Sequence, residues 1–82
     1  MPASESKLKQ IMADVFGVDS NSIDEHASVD TIKKWDSFNH MKLVLALEEQ
    51  FNVTFQTEQT VEMLSYSLVK IALSEHGVVF DQ

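Results

Sequence analysis

The sequence predicts an all-α fold, a four-helix bundle of three longer helices and one short helix, with a long loop between helices one and two. Its segments repeat apolar residues at intervals of three and four positions, which is the spacing of one face of an α-helix. The stretches between these segments are rich in residues that form turns and helix caps. With 82 residues, the chain has room for one domain, residues 1–82.

The first helix is predicted over residues 5–16, where five apolar residues form a single stripe: Leu8, Ile11, Met12, Val15 and Phe16. Gly17 is expected to end this helix in the left-handed conformation. Residues 17–36 follow as a long connection without a helical period. Loops of this length are usually functional or anchored, and we expect Ile23 and Val29 to be tucked into the core.

The second helix is predicted over residues 37–51, which contain the run MKLVLALEE of strong helix formers. Its apolar residues form two adjacent stripes, one of Leu43, Val44, Leu47 and Phe51 and another of Phe38, Met41 and Leu45. A bundle of this size cannot easily bury both stripes. The second stripe therefore predicts a surface that binds a partner.

The short third helix is predicted to be capped by Thr57 and to contain Glu58, Val61 and Leu64. The fourth helix is predicted to be capped by Ser65 or Ser67, to carry an apolar stripe of Leu68, Ile71 and Ala72, and to close at Gly77. Residues 78–80 form an apolar tail to which the sequence assigns no role.

Thirteen acidic residues against six lysines give a formal net charge of −7. This balance disfavours nucleic acid and anionic membranes as partners, because both require basic patches. It favours partner proteins that carry basic patches. The chain has no cysteine, no apolar run of membrane-spanning length and no signal-peptide stretch in residues 1–10, so we expect a cytoplasmic protein.

The dipeptide Asp36-Ser37 stands at the start of the second helix, and it has two interpretations. Either residue can simply cap the helix, which is the common use of Asp and Ser at this position. Alternatively, Ser37 bears a phosphodiester, held where backbone N–H groups and the helix dipole favour an anion.

The residues around this dipeptide favour the second interpretation. Residues 35–51 read WDSFNHMKLVLALEEQF, and this stretch resembles the phosphopantetheine-bearing segment of the acyl carrier protein family. That family typically has Asp-Ser-Leu followed by an apolar helix that ends in Leu-Glu-Glu-x-Phe. Further matches are Gly17-Val18, Ala27-Ser28 and residues 53–55, so that the resemblance covers roughly residues 5–76.

The resemblance implies a carrier without catalytic residues. A phosphopantetheinyl transferase would join a 4'-phosphopantetheine arm from coenzyme A to the Ser37 hydroxyl, with Asp36 helping the transferase and its metal to recognise the site. Acyl or aminoacyl groups would travel as thioesters on the arm, which supplies the thiol that this cysteine-free chain lacks. Fatty-acid, polyketide, nonribosomal-peptide and surface-polymer pathways use such carriers.

The resemblance also implies contacts. Five residues of the second helix would face partner enzymes (acyl-activating enzymes, acyltransferases or synthases with basic patches): Phe38, Met41, Leu45, Glu48 and Glu49. Phe55 and Val61 stand where the family often contacts the arm or its acyl chain, although we expect Val61 to lie in the core. Monomers are the expectation for the family.

Several positions depart from the pattern of fatty-acid carriers. Phe38 replaces the commoner Leu, and Asn39 and Lys42 stand where acidic side chains are usual. Lys33-Lys34-Trp35 replaces the glycine-containing approach seen in many relatives. Because partner choice depends on electrostatic complementarity, these changes favour a specialised freestanding carrier. A D-alanyl carrier, whose pattern includes Asp-Ser-Phe, stays open.

Rival interpretations have less support. Ser37 and His40 have the spacing of a nucleophile and base, but no orienting acid or oxyanion hole accompanies them, and we expect His40 to be solvated. Asp19, Asn21 and Asp30 lack the glycine and glutamate of a calcium loop, and the three histidines lack paired spacing, so no metal site is predicted. An unmodified module that binds a partner helix through Met41 and Leu45 is the stronger alternative.

Overall fold

The computed structural model describes residues 3–81, and within them it contains four α-helices: α1 Glu5–Phe16, α2 Ser37–Phe51, α3 Thr57–Glu62 and α4 Tyr66–Glu75. Three of these are longer and one is short, which confirms the predicted fold class. The bounds of α1 and α2 agree with the prediction. The connection between them contains a short 3-10 helix, Ser20–Ser22, whose N-cap Asp19 accepts a hydrogen bond from the Asn21 N–H at 2.9 Å.

The core is built mainly from α1, α2, α4 and the long connection. Ile23 is buried as predicted, and Ala27, Ile32 and Trp35 add further anchors along the same loop. From α2 come Leu43, Val44 and Leu47, and Phe51 is half-buried beside them. The predicted division of α2 into one inward stripe and one outward stripe is therefore confirmed.

Backbone hydrogen bonds hold the middle of this loop against the residues that precede α4. Ser28 forms an isolated antiparallel bridge with Ser65, and the Val29 N–H donates to the Leu64 carbonyl at 3.1 Å. The prediction that Val29 is buried is wrong. The loop is fixed here through its main chain, and the Val29 side chain is exposed.

The last two helices differ from the prediction in detail. The N-cap of α3 is Gln56 instead of Thr57, and its N–H donates to Gln59 Oε1 at 3.2 Å. Helix α3 ends at Glu62, before Leu64, while the predicted cap of α4, Ser65, does accept from the Leu68 N–H.

The side of α4 that faces the core differs from the apolar stripe noted in the sequence, for which no direction was predicted. The buried residues are Tyr66, Val69, Ala72 and Leu73, whereas Leu68 and Ile71 are exposed. Ala72 is common to both sets, because the two candidate stripes are adjacent on the helix and have the same spacing. Packing against α1 and the loop, and not the period of α4 itself, decides which stripe turns inward.

The two ends of the described chain lie side by side. Strand β1, Ala3–Ser4, pairs in parallel with strand β2, Phe80–Asp81. The half-buried Phe80 ring meets the Phe51 ring edge-on at a centroid distance of 6.1 Å. The apolar tail, which had no predicted role, thus closes the bundle against α2 and the N-terminal segment.

A polar cluster fastens α1 to α4 next to this pair. Tyr66 Oη donates to Glu5 Oε1 at 2.7 Å, and Lys70 Nζ lies 2.9 Å from the same oxygen. These two donors, Tyr66 first, hold the pKa of Glu5 below its ordinary value. Burial and the bond to Glu5 raise the pKa of Tyr66, so the cluster keeps one carboxylate ionised and one phenol protonated.

Two leucines on α2 offer a matched test of its division into faces. Leu47→Ala should lower the free energy of unfolding by about 2–5 kcal/mol, because it leaves a cavity in the core. Leu45→Ala, two residues away, should cost well under about 1 kcal/mol because its side chain is exposed. Urea denaturation of both variants checks this. Equal losses would contradict the assignment of faces.

Candidate functional site

Ser37 is the first residue of α2 and lies in an exposed position. The residue before it, Asp36, is the N-cap, with its Oδ1 accepting a hydrogen bond from the Asn39 N–H at 2.9 Å. The simple capping interpretation therefore holds for Asp36. Because the carboxylate performs this task, the cap does not use the Ser37 hydroxyl, which stands at a helix end where backbone N–H groups lack intrahelical acceptors.

The end of the loop that leads to Ser37 is held in place by Trp35, whose side chain lies in the core. Its indole is buried and stacks on Phe16 of α1, with the ring centroids 4.9 Å apart. On the outside, Asn39 Nδ2 donates to the Lys34 carbonyl at 2.8 Å, which ties the loop to the first turn of α2. Ser37 thus comes two residues after the buried Trp35, and the packing of Trp35 determines where Ser37 lies on the surface.

His40 completes this anchor and is the residue that sequence reasoning missed. Trp35 Nε1 donates to His40 Nδ1 at 3.0 Å, and His40 Nε2 lies 2.7 Å from the Thr60 carbonyl of α3. Because an indole nitrogen can only donate, Nδ1 accepts, and Nε2 carries the proton that is donated to Thr60. The expectation of a solvated His40 is wrong, since the ring is half-buried.

These bonds bear on the nucleophile–base interpretation. Both ring nitrogens of His40 are engaged, one by Trp35 and the other by Thr60. Neither is directed to the Ser37 hydroxyl. The sequence did carry a signal for the inward position, because His40 stands three and four residues before Leu43 and Val44 and so continues their buried stripe.

An apolar strip of α2 faces solvent beside Ser37. Phe38, Met41 and Leu45 are 73%, 56% and 61% exposed. The ammonium group of Lys42 lies 5.6 Å from the centroid of the Phe38 ring, in the range of a cation–π contact. Two of the departures noted in the sequence, Phe38 and Lys42, therefore contact each other on this surface.

The remaining predicted site residues differ in exposure and in the contacts that they make. Glu49 is exposed, but Glu48 is half-buried, and its Oε2 accepts from the Phe55 N–H at 2.9 Å. Phe55 is buried, and its ring meets His76 edge-on at 5.3 Å. Val61 is 63% exposed, so the expectation that it lies in the core is wrong. The short α3 leaves Val61 on its outer side.

Neither a cluster of metal ligands nor a membrane-spanning helix is found among the described residues. Among residues 3–81, no three His, Asp or Glu side chains come together as a set of metal ligands. Over the same part of the chain, none of the helices combines the length and the apolar character needed to cross a bilayer.

Comparison with known protein families gives a match over most of the chain. The family model described as phosphopantetheine attachment site matches residues 6–65. This span starts within α1, includes the loop, α2 and α3, and ends at the cap of α4. The Asp36-Ser37 pair and the Trp35–His40 anchor lie well inside it.

A double-mutant cycle tests the anchor. Trp35→Phe and His40→Ala each remove one side of the hydrogen bond between the two rings. We expect a coupling energy of about 0.5–1.5 kcal/mol from urea denaturation of the single and double variants, as for a hydrogen bond with one buried partner. A coupling energy near zero would contradict the interaction.

Proposed function

The chain belongs to the phosphopantetheine attachment-site family, whose members carry a 4'-phosphopantetheine prosthetic group, and we propose that in this carrier protein the arm is attached to Ser37. The observation that carries the proposal is the exposure of Ser37 at the first position of α2, directly after a cap that Asp36 provides. A hydroxyl in this place is accessible to a modifying enzyme.

The surroundings of Ser37 fit a phosphodiester. The N-terminal N–H groups and dipole of a helix such as α2 stabilise a negative charge. Asp36 uses Oδ1 for its cap, and a carboxylate has further acceptor sites that suit the metal ion of a transferase. Trp35 and Asn39 support the proposal because they hold the backbone on both sides of Asp36 in one conformation.

When attached, the arm supplies a terminal thiol on which acyl groups are carried as thioesters. The chain's own contribution is recognition, since family membership implies a phosphopantetheinyl transferase and acyl-handling enzymes as partners. We propose that these enzymes dock on Phe38, Met41 and Leu45, with Glu49 at the edge of the strip. Glu48 and Phe55 bind each other within the fold, so partner or arm contacts for them stay predictions.

The charges beside the strip favour a specialised carrier. Residues 31–51, which include all of α2, contain three lysines and three acidic residues and so have no net charge, whereas the whole chain has a net charge of −7. Enzymes that recognise a strongly acidic second helix would lose that complementarity here.

A D-alanyl carrier is the second candidate, because residues 36–38 read Asp-Ser-Phe, as the pattern of such carriers does. Mass spectrometry of the native thioester identifies the cargo.

Intact-mass measurement tests the attachment site. Coexpression with a broad-specificity phosphopantetheinyl transferase should add the mass of one phosphopantetheinyl group to the protein. Ser37→Ala should abolish the addition, whereas Ser74→Ala, at an exposed serine of α4, should not affect it. If several competent transferases leave the wild-type mass unchanged, the unmodified interaction module becomes the better interpretation.

Asp36 is proposed to have two tasks, and two variants separate them. Asp36→Ala should lower the free energy of unfolding by about 0.5–2 kcal/mol because the cap is lost, while Asp36→Asn should retain most of the stability because an amide oxygen also accepts. Both variants should be labelled more slowly by the transferase, since neither offers a carboxylate to its metal. Labelling of Asp36→Asn at the wild-type rate would leave Asp36 with the cap alone.

A further inference from the structure

A second apolar surface lies along α3 and α4, and it shares no residue with the strip that α2 presents beside Ser37. Leu68 and Ile71, which are 42% and 54% exposed, stand three residues apart on α4. Between them and α3 runs a groove with the buried side chains of Met63 and Ala72 in its floor. Exposed apolar residues grouped over such a floor commonly mark an interaction site.

The dimensions of the groove suit a protein segment. Its volume is about 80 Å³, well below the roughly 300–1,000 Å³ of pockets that enclose small ligands. Helix α4 has ten residues and so spans roughly 15 Å, which matches two to three turns of another helix. An amphipathic helix can lay apolar side chains between Leu68 and Ile71 in the way that helices occupy hydrophobic grooves.

The charged residues at the rim of the groove indicate which kind of partner helix it would bind. Glu62 and Glu75 line the groove, and Gln59 Nε2 donates to Glu75 Oε1 at 3.0 Å, which holds that carboxylate in place. The one lysine of α4, Lys70, is paired with Glu5 of α1. The rim is therefore acidic, whereas the α2 strip has Lys42 beside it.

We propose that the α3–α4 groove is a docking site for a basic amphipathic helix of a partner protein. Apolar side chains of the partner cover Leu68 and Ile71, and its lysine or arginine side chains face Glu62 and Glu75. The site contains neither Ser37 nor the α2 strip. The two surfaces therefore have no residue in common, and the inference does not depend on the arm.

A designed peptide tests the groove. The probe is a fluorescently labelled amphipathic helix of about 14 leucine and lysine residues, with a matched peptide in which glutamate replaces every lysine. Fluorescence anisotropy with the full, unmodified chain should show binding of the basic peptide and little binding of the acidic one. Amide chemical-shift changes should concentrate in α3 and α4.

Variants of exposed residues locate the binding. Ile71→Gln should weaken the basic peptide about tenfold, and Glu62→Gln about threefold with a smaller dependence on salt. Met41→Gln, on the α2 strip, should change the affinity by less than about twofold. Thermal unfolding should confirm that the three variants remain folded, as expected for exposed positions.

Three results would overturn the proposal. The first is equal binding of the basic and acidic peptides, and the second is loss of binding in Met41→Gln without loss in Ile71→Gln. The third is a concentration-dependent dimer of the wild type in sedimentation that Ile71→Gln abolishes, because the groove would then be an interface between two copies. None of these outcomes bears on whether Ser37 accepts an arm, so the two proposals succeed or fail separately.

Discussion

The burial of Trp35 is the constraint on which the rest of the site depends. Its ring stacks on Phe16, its N–H is donated to His40, and His40 in turn meets the Thr60 carbonyl. One side chain of the loop thereby connects α1, α2 and α3. Since unpaired buried polar groups are costly, the indole N–H and the imidazole favour this arrangement, which holds the end of the loop in place directly before the Asp36 cap of α2.

Residues at the start of α2 and along it have different roles, although they are close in sequence. Asp36 satisfies the helix end, so Ser37 stands at the surface without a structural duty. Further along, Leu43 and Leu47 face the core while Met41 and Leu45 face solvent. The side of α2 that stabilises the fold is therefore distinct from the side that we propose for recognition, and either side can change with limited effect on the other.

Local signals in the sequence were sufficient to predict the bounds of the first two helices. The bounds of α1 and α2 follow from apolar period, the Asp36 cap and Gly17, whose φ of +68° is the left-handed value expected after a helix. The sequence did not predict which stripe of α4 turns inward, because Leu68-Ile71 and Val69-Leu73 both have helical spacing and only the neighbouring elements distinguish them. The motif predicts Ser37 as the attachment point, and this stays a prediction. The bond between His40 and Thr60 could not be predicted, since it joins residues 20 positions apart.

The pairing of the two chain ends has a mechanical consequence. Because β1 and β2 run in parallel, tension applied through both ends slides the two strands past each other, which loads their hydrogen bonds together and not one after another. The Tyr66–Glu5–Lys70 cluster lies next along this path. Helix α2 contacts these strands through Phe51 at its last residue, so Ser37, at its first residue, lies at the opposite end of the helix from the contact that would bear this tension.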